Sequence, residues 1–185
     1  MTIPNGATLR TLLILGASCL VPAVAGAALT RTGAPSVEFT ALGPAGLKIV
    51  GVTHDLDLRD DGANVVVSVP LANLDTGISL RNKHMREKYL EVDKYPRAEL
   101  TVARADVRVP VAGTDTDGDA PATMSIHGVS RAVRFSYRAR REGNGIHVTG
   151  SVHVNVKDHG IAIPSYLGVT VKPDVDVSVT FDASE

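Results

Sequence analysis

The chain has 185 residues, a single-domain length, and balances 19 Lys and Arg against 20 Asp and Glu, so no global field points to nucleic acid or to an acidic partner. Aromatics make up 4% and Trp is absent, which speaks against a base-stacking platform for single-stranded nucleic acid. Partners must be read from local features.

Arg10 precedes an apolar run from Leu12 to Val21, followed by Pro22 and the small residues AVAGAA, which is the order of an export signal. Residues 1–25 are expected to be removed, and cleavage after Ala27 satisfies the same small-residue rule. The protein is therefore expected to be periplasmic or secreted. An uncleaved anchor over Leu12 to Leu29 is the competing reading, weakened by Pro22 and the Gly/Ala-rich end. Cys19, the one cysteine, lies inside the signal, and Gly16 stands where a lipoprotein signal carries a bulky aliphatic, so lipid anchoring through Cys19 is disfavoured. The mature domain is expected to have no disulfide.

Residues 26–35 read as a flexible lead, and residues 36–182 as one domain. Ser36 to Thr40 is a short strand candidate ended by Gly43 and Pro44. In Leu47 to Leu58, Val50, Val52, Leu56 and Leu58 share one parity with His54, the pattern of a half-buried strand. Asp60, Asp61 and Gly62 then form a hairpin turn into a strand from Ala63 to Leu71. Arg97 to Val109 changes apolar parity midway, which a bulge near Ala103 would reconcile. Thr114 to Asp119 reads as an acidic turn. Ala122 to His127 and Ala132 to Arg140 flank a Gly128 turn, and Ile146 to Lys157 and Val169 to Thr180 both alternate Val with polar residues.

These strands, joined by short turns, predict an all-β, elongated, eight-stranded antiparallel barrel with one short helical insertion around residues 78–90. Closure removes both edges of the sheet. The inward candidates Phe135, Tyr137, Val148, Val152, Val154, Val171, Val175 and Val177 are mostly short, so the interior has room for a ligand.

The helical insertion belongs to LDTGISLRNKHMREKYLEVDKYPRAEL, Leu74 to Leu100. Met85, Tyr89 and Leu90 form an apolar side suited to a lid, with Arg81 and Arg86 facing a head group. The basic cluster Arg81, Lys83, His84, Arg86 and Lys88 suits an anionic head group or a transient membrane-surface contact, or else is a solvated helix face. Asp75-Thr76-Gly77 resembles the way an aspartic protease presents its carboxylate, yet such chemistry needs a second carboxylate and this chain has one copy. The favoured reading is a turn that caps the helix. Asp115, Asp117 and Asp119 lack the Gly and Glu positions of a calcium loop, and the histidines have no zinc-site spacing, so no metal is expected. No nucleophile elbow, phosphate loop or dinucleotide fingerprint is present, and no catalytic residue is assigned.

The same block, through Asp75, Thr76, Gly77, Arg81, Asn82, His84, Met85, Tyr89, Val92, Lys94, Tyr95 and Pro96, resembles the signature of the YceI-like family of exported bacterial lipocalin-like proteins. MSIHGVSRAVRF and Lys157 to Ile161 match two further blocks in order, so the resemblance spans Ser36 to Phe181. It implies an antiparallel barrel whose elongated apolar interior binds a polyisoprenoid, an isoprenoid quinone or a fatty amide or acid without catalysis. Asn82 replaces a usual Asp, and His159 stands where Phe is common, which leaves the ligand's identity open. The expected function is thus a non-catalytic carrier of a long-chain amphiphile, with no cofactor beyond a bound isoprenoid or other lipid. The alternatives are an aspartic protease-like hydrolase using Asp75 and a structural or adaptor barrel with a dry core. A homodimer is left open.

Overall fold

The computed structural model describes residues 27–166 and 169–185, and the expected signal segment with Cys19 lies outside them. The strands are β1 (Thr30–Leu42), β2 (Lys48–Thr53), β3 (Asp57–Asp60), β4 (Asn64–Pro70), β5 (Arg97–Ala103), β6 (Asp115–Ile126), β7 (Val129–Glu142), β8 (Gly145–Asn155), β9 (Ser165–Tyr166), β10 (Val169–Thr170) and β11 (Asp174–Ser184). Between β4 and β5 lies the helix α1 (Ser79–His84), which widens into a π-helical turn over Met85–Tyr89. The insertion expected around residues 78–90 is therefore helical.

One nine-stranded antiparallel sheet runs in the order β2-β1-β11-β8-β7-β6-β5-β4-β3, with β9 and β10 forming a separate two-stranded ribbon. The expected eight strands become nine because the stretch from Leu47 to Leu58 breaks at His54–Leu56. The two pieces are the two edges of the sheet: β2 pairs with β1, and β3 pairs with β4. The sheet therefore curls until one kinked segment serves both edges, but β2 and β3 do not pair with each other, so the expected closure that removes both edges is not reached. The kink also switches parity. In β2 the inward set is Ile49, Gly51 and Thr53 rather than the expected Val50 and Val52, whereas Leu56 and Leu58 face inward as expected. At the far end the Asp60 carboxylate accepts from the Leu29 and Gly62 amides at 3.0 and 2.9 Å and pairs with Arg104, tying the start of β1 to the end of β3. Burial pushes the Asp60 carboxyl up, but the two amides and Arg104 outweigh it and hold the group below the usual range.

Other boundaries also differ from expectation, among them the strand expected from Val169 to Thr180, which breaks before Asp174 into β10 of the ribbon and β11 of the main sheet. The lead expected to be flexible through residue 35 enters the sheet at Thr30, which pairs with Ser184 of β11 across an irregularity near Gly33. β5 ends at Ala103 in a 3₁₀ turn (Arg104–Asp106) instead of continuing through a bulge, which is why the apolar parity changes there. The expected acidic turn is the first half of β6. Asp115, Asp117 and Asp119 point outward onto Arg140, Arg138 and Arg134 of β7 at 2.7–2.8 Å, while Ala120 points into the core. An alternation of acids becomes a strand because each carboxylate meets a guanidinium across the ladder, and those arginines hold Asp115 and Asp117 below the usual carboxylate range.

Inside, one cluster of buried Val, Leu, Ala, Ile, Met and aromatic residues runs the length of the curled sheet. Each such Val, Leu or Phe contributes about 1.5–3 kcal/mol of transfer free energy on burial. Three aromatic rings lie against glycines on the adjacent strand: Phe39 on Gly51, Phe135 on Gly150 and Tyr137 on Gly118. A Cβ at any of these glycines would overlap the ring. Gly150, which interrupts the apolar side of β8, is thus the recess over which the Phe135 ring lies.

Gly118→Ala is expected to destabilise the fold by about 1–3 kcal/mol, because the new methyl meets the Tyr137 ring from rigid backbone. Urea unfolding followed by circular dichroism checks this. The midpoint should fall with the slope unchanged, and an unchanged midpoint would contradict the packing account.

Candidate functional site

The inward parity of the strands is apolar but short, so it lines a cavity of about 800 Å³ instead of filling the interior. Val37, Phe39 and Ala41 come from β1, Val67 and Val69 from β4, Ala98 and Leu100 from β5, and Val175, Val177 and Val179 from β11. The roof is the segment Thr76 to Leu90, and a second flap, Ile161 to Ser165, also lines the cavity.

The roof is fixed by a compact hydrogen-bond knot. Val52 and Asp75 exchange both backbone hydrogen bonds, at 2.8 and 2.9 Å, which docks the start of the roof on β2. Asp75 Oδ1 accepts from the Gly77 amide at 2.8 Å and from Asn82 Nδ2 at 2.7 Å. Asn82 Oδ1 accepts from the Thr76 amide and the Thr76 hydroxyl at 2.8 and 2.7 Å. Arg81 donates through Nε to Thr76 Oγ1 at 2.7 Å and through Nη2 to the Thr76 carbonyl at 2.5 Å. Arg86 Nη2 donates to the Leu74 carbonyl at 2.9 Å. The Gly77 amide and the Asn82 amide, aided by Arg86, hold the Asp75 carboxyl below its ordinary value. A carboxylate so committed closes the turn without capping the helix as expected, since the N-cap is Ile78 and no side chain caps it, and nothing here supports the aspartic protease reading, which requires a shared proton.

Of the residues expected at the ligand site, Arg81, Met85, Tyr89, Leu90, Phe135, Val152, Val171, Val175 and Val177 line this cavity. The remaining four do not. Tyr137 and Val148 line a separate far-end cavity of about 50 Å³. Val154 is 2% exposed, packed in the core cluster and off the cavity wall. Arg86 faces the Leu74 carbonyl instead of the mouth, and its Nε is buried without a partner among the described residues. A two-residue periodicity gives the face of a strand but not the level along the barrel axis, so inward residues of both cavities look alike in sequence.

His84 and Lys88 of the expected basic cluster also line the cavity, whereas sequence reasoning missed Phe39, Leu74, Ile161, Ile163, Pro164 and Lys172, which line it too. The alternation of Ile161 and Ile163 after Gly160 was the available signal for the flap. His159 anchors that flap: it is 1% exposed, and its Nδ1 donates to the Val129 carbonyl at 2.9 Å.

Three cations line the cavity, Arg81 and Lys88 from the roof and Lys172 from the chain just before β11, with His84 also in the lining, and among the described residues Arg81, Lys88 and Lys172 are in no ion pair. Ile78 and Leu80 add large apolar groups there that are 52% and 63% exposed. Among the described residues, no group of His, Cys, Asp and Glu is placed to hold a metal ion.

The family model of the YceI-like domain matches residues 35–183. Among solved structures, a polyisoprenoid-binding domain from Saccharophagus degradans implicated in plant cell wall breakdown superposes with a TM-score of 0.69 at 19% identity, covering 85% of this chain and 97% of that one. Burkholderia cenocepacia BcnA superposes with a TM-score of 0.62 at 14% identity, covering 80% of this chain and 96% of its own. At these identities the likeness is one of fold. No curated protein matches the sequence.

The knot around Asp75 gives a test. Because the folded Asp75 value is depressed, its contribution is fully present above the unfolded value of 3.8 and is lost as pH falls through the lower folded value. Asn82→Asp removes the amide donor and opposes two carboxylates, so amides from residues 75–90 should exchange faster than in the native chain at neutral pH. The gap should narrow near the carboxylate range, where one carboxyl regains a proton to donate. Hydrogen exchange read by mass spectrometry at both pH values checks this, and equal protection at neutral pH would contradict it.

Proposed function

Because the chain belongs to the YceI-like domain family, we propose that it is an exported, non-catalytic carrier of a single-tailed long-chain amphiphile. The apolar cavity of about 800 Å³ opening through a cation-bearing mouth carries the reading. A methylene is about as large as a liquid water molecule, ~30 Å³, so the cavity has room for at most about 25 such groups. Burial gains about 0.8 kcal/mol per methylene, so about twenty buried carbons gain roughly 16 kcal/mol and exceed association costs of roughly 4–15 kcal/mol.

The Saccharophagus degradans domain is described as polyisoprenoid-binding, which supports a prenyl or fatty tail for this chain. Hydrophobic burial selects weakly between such tails, so the head group is where selectivity enters. Lys88 and Lys172, unpaired at the mouth, favour an anionic head such as a carboxylate or phosphate. The exposed apolar side chains Ile78 and Leu80 beside these cations suit transient contact with an anionic membrane surface, from which the tail would load. A dry structural barrel is disfavoured by the size of the cavity.

Two outcomes are expected. Protein purified from its native compartment and extracted under denaturing conditions should yield a single-tailed amphiphile by mass spectrometry, in near-stoichiometric amount; a lipid-free protein that binds no fatty or prenyl probe would overturn the carrier reading. Replacing Lys88 and Lys172 together by Ala should weaken a long-chain fatty acid roughly two- to tenfold, as expected for exposed charges. The corresponding fatty alcohol should be unaffected, and equal losses for both probes would show that the cations do not read the head group.

A further inference from the structure

The two cavities are one barrel interior divided by a floor. Along every strand that reaches both, the boundary falls at the same level. On β4, Val65 faces the far cavity, Val69 the large one, and Val67 both; on β8, Val148 faces the far cavity and Val152 the large one. Phe135 is the other residue that lines both, and its ring leans over Gly150 of the adjacent strand β8, where a Cβ would overlap it.

Tyr137 stacks behind Phe135 with ring centroids 5.6 Å apart and planes 16° apart. Its hydroxyl accepts from the Arg108 amide at 2.7 Å, which ties it to the loop closing the far end. Phe135 is thus held between a recess on one side and a ring fastened to backbone on the other. An opening lid would leave it in place.

We propose that Phe135, backed by Tyr137, is the floor against which the end of the bound tail stops, and so sets the chain length the protein accepts. This rests on the carrier reading. A tail that reaches the floor makes full contact with the wall, and each further methylene must project through the mouth into water. Affinity should therefore rise roughly fourfold per methylene, then level off or fall once the tail spans mouth to floor.

The test uses the mature chain, stripped of lipid, and an even-numbered series of saturated fatty acids displacing a fluorescent fatty acid. Phe135→Ala opens the floor into the far cavity, and the space of the lost ring together with about 50 Å³ beyond it should move the best-bound length up by about two to four carbons. Val152→Phe, on the strand paired with Phe135, puts a second ring on the large-cavity side of the floor and should move the best-bound length down. Shifts in opposite directions support the floor. An unchanged optimum in both folded variants overturns it while leaving the carrier reading intact, and failure of every chain length to bind the native protein overturns the carrier reading and the floor with it. If Phe135→Ala does not fold, Phe135→Leu takes its place and should move the best-bound length up by a smaller step, and an unchanged optimum in that folded variant overturns the floor.

Discussion

The inward side chains are too short to meet across the barrel, and most of what is particular to this molecule depends on that. A sheet that curls on itself needs its concave face filled or occupied. Here the large-cavity wall is dominated by Val, Ala and Leu, whose burial stabilises the sheet from one side only. The lower end solves the problem with aromatic rings set against glycines. The upper end leaves about 800 Å³ open. Filling one end and emptying the other separates a structural plug from a binding space within a single fold.

An open apolar space needs a roof, and a roof that must let a tail pass cannot be part of the sheet. The insertion between β4 and β5 meets this with polar chemistry at its base and apolar chemistry beneath it. Thr76 and Asn82 satisfy one another, Asp75 closes the turn, and Arg81 clamps Thr76 from the cavity side. Arg81 therefore has two guanidinium nitrogens committed to Thr76 while it lines the mouth, so Lys88 and Lys172 are the cations freer to meet a head group. Asn82 contributes both a donor and an acceptor to this knot, which a carboxylate could not do at neutral pH.

Much of the fold was legible where a strand alternates cleanly and its neighbour follows in sequence. β4, β7 and β8 were found that way, as was the helical roof bounded by Gly77 and Pro96. β6 was not, because Asp115, Asp117 and Asp119 spell a turn until Arg140, Arg138 and Arg134 stand opposite them. The break at His54–Leu56 was hidden because apolar residues continue through it at the expected spacing. Its cause lies elsewhere in the chain, in the need for one segment to pair with β1 on one side and β4 on the other. At the site, periodicity identified the inward face, and the amphipathic block from Leu74 to Leu100 identified the roof. Neither could say that Tyr137 and Val148 lie below Phe135, or that Arg86 turns back to the Leu74 carbonyl, since depth along the axis and hydrogen bonds between loops leave no period in the sequence.

The central claim is that a single tail enters through the cationic mouth and lies along the barrel. Paramagnetic broadening of the isotope-labelled protein by fatty acids carrying a nitroxide at different points along the tail tests it most directly. A label next to the carboxylate should broaden Tyr89, Leu90 and Lys88, and a label at the tail end should broaden Phe135 and Val152. Broadening confined to outward-facing residues such as Arg138 and His153, or a pattern that does not change with the position of the label, would contradict the account.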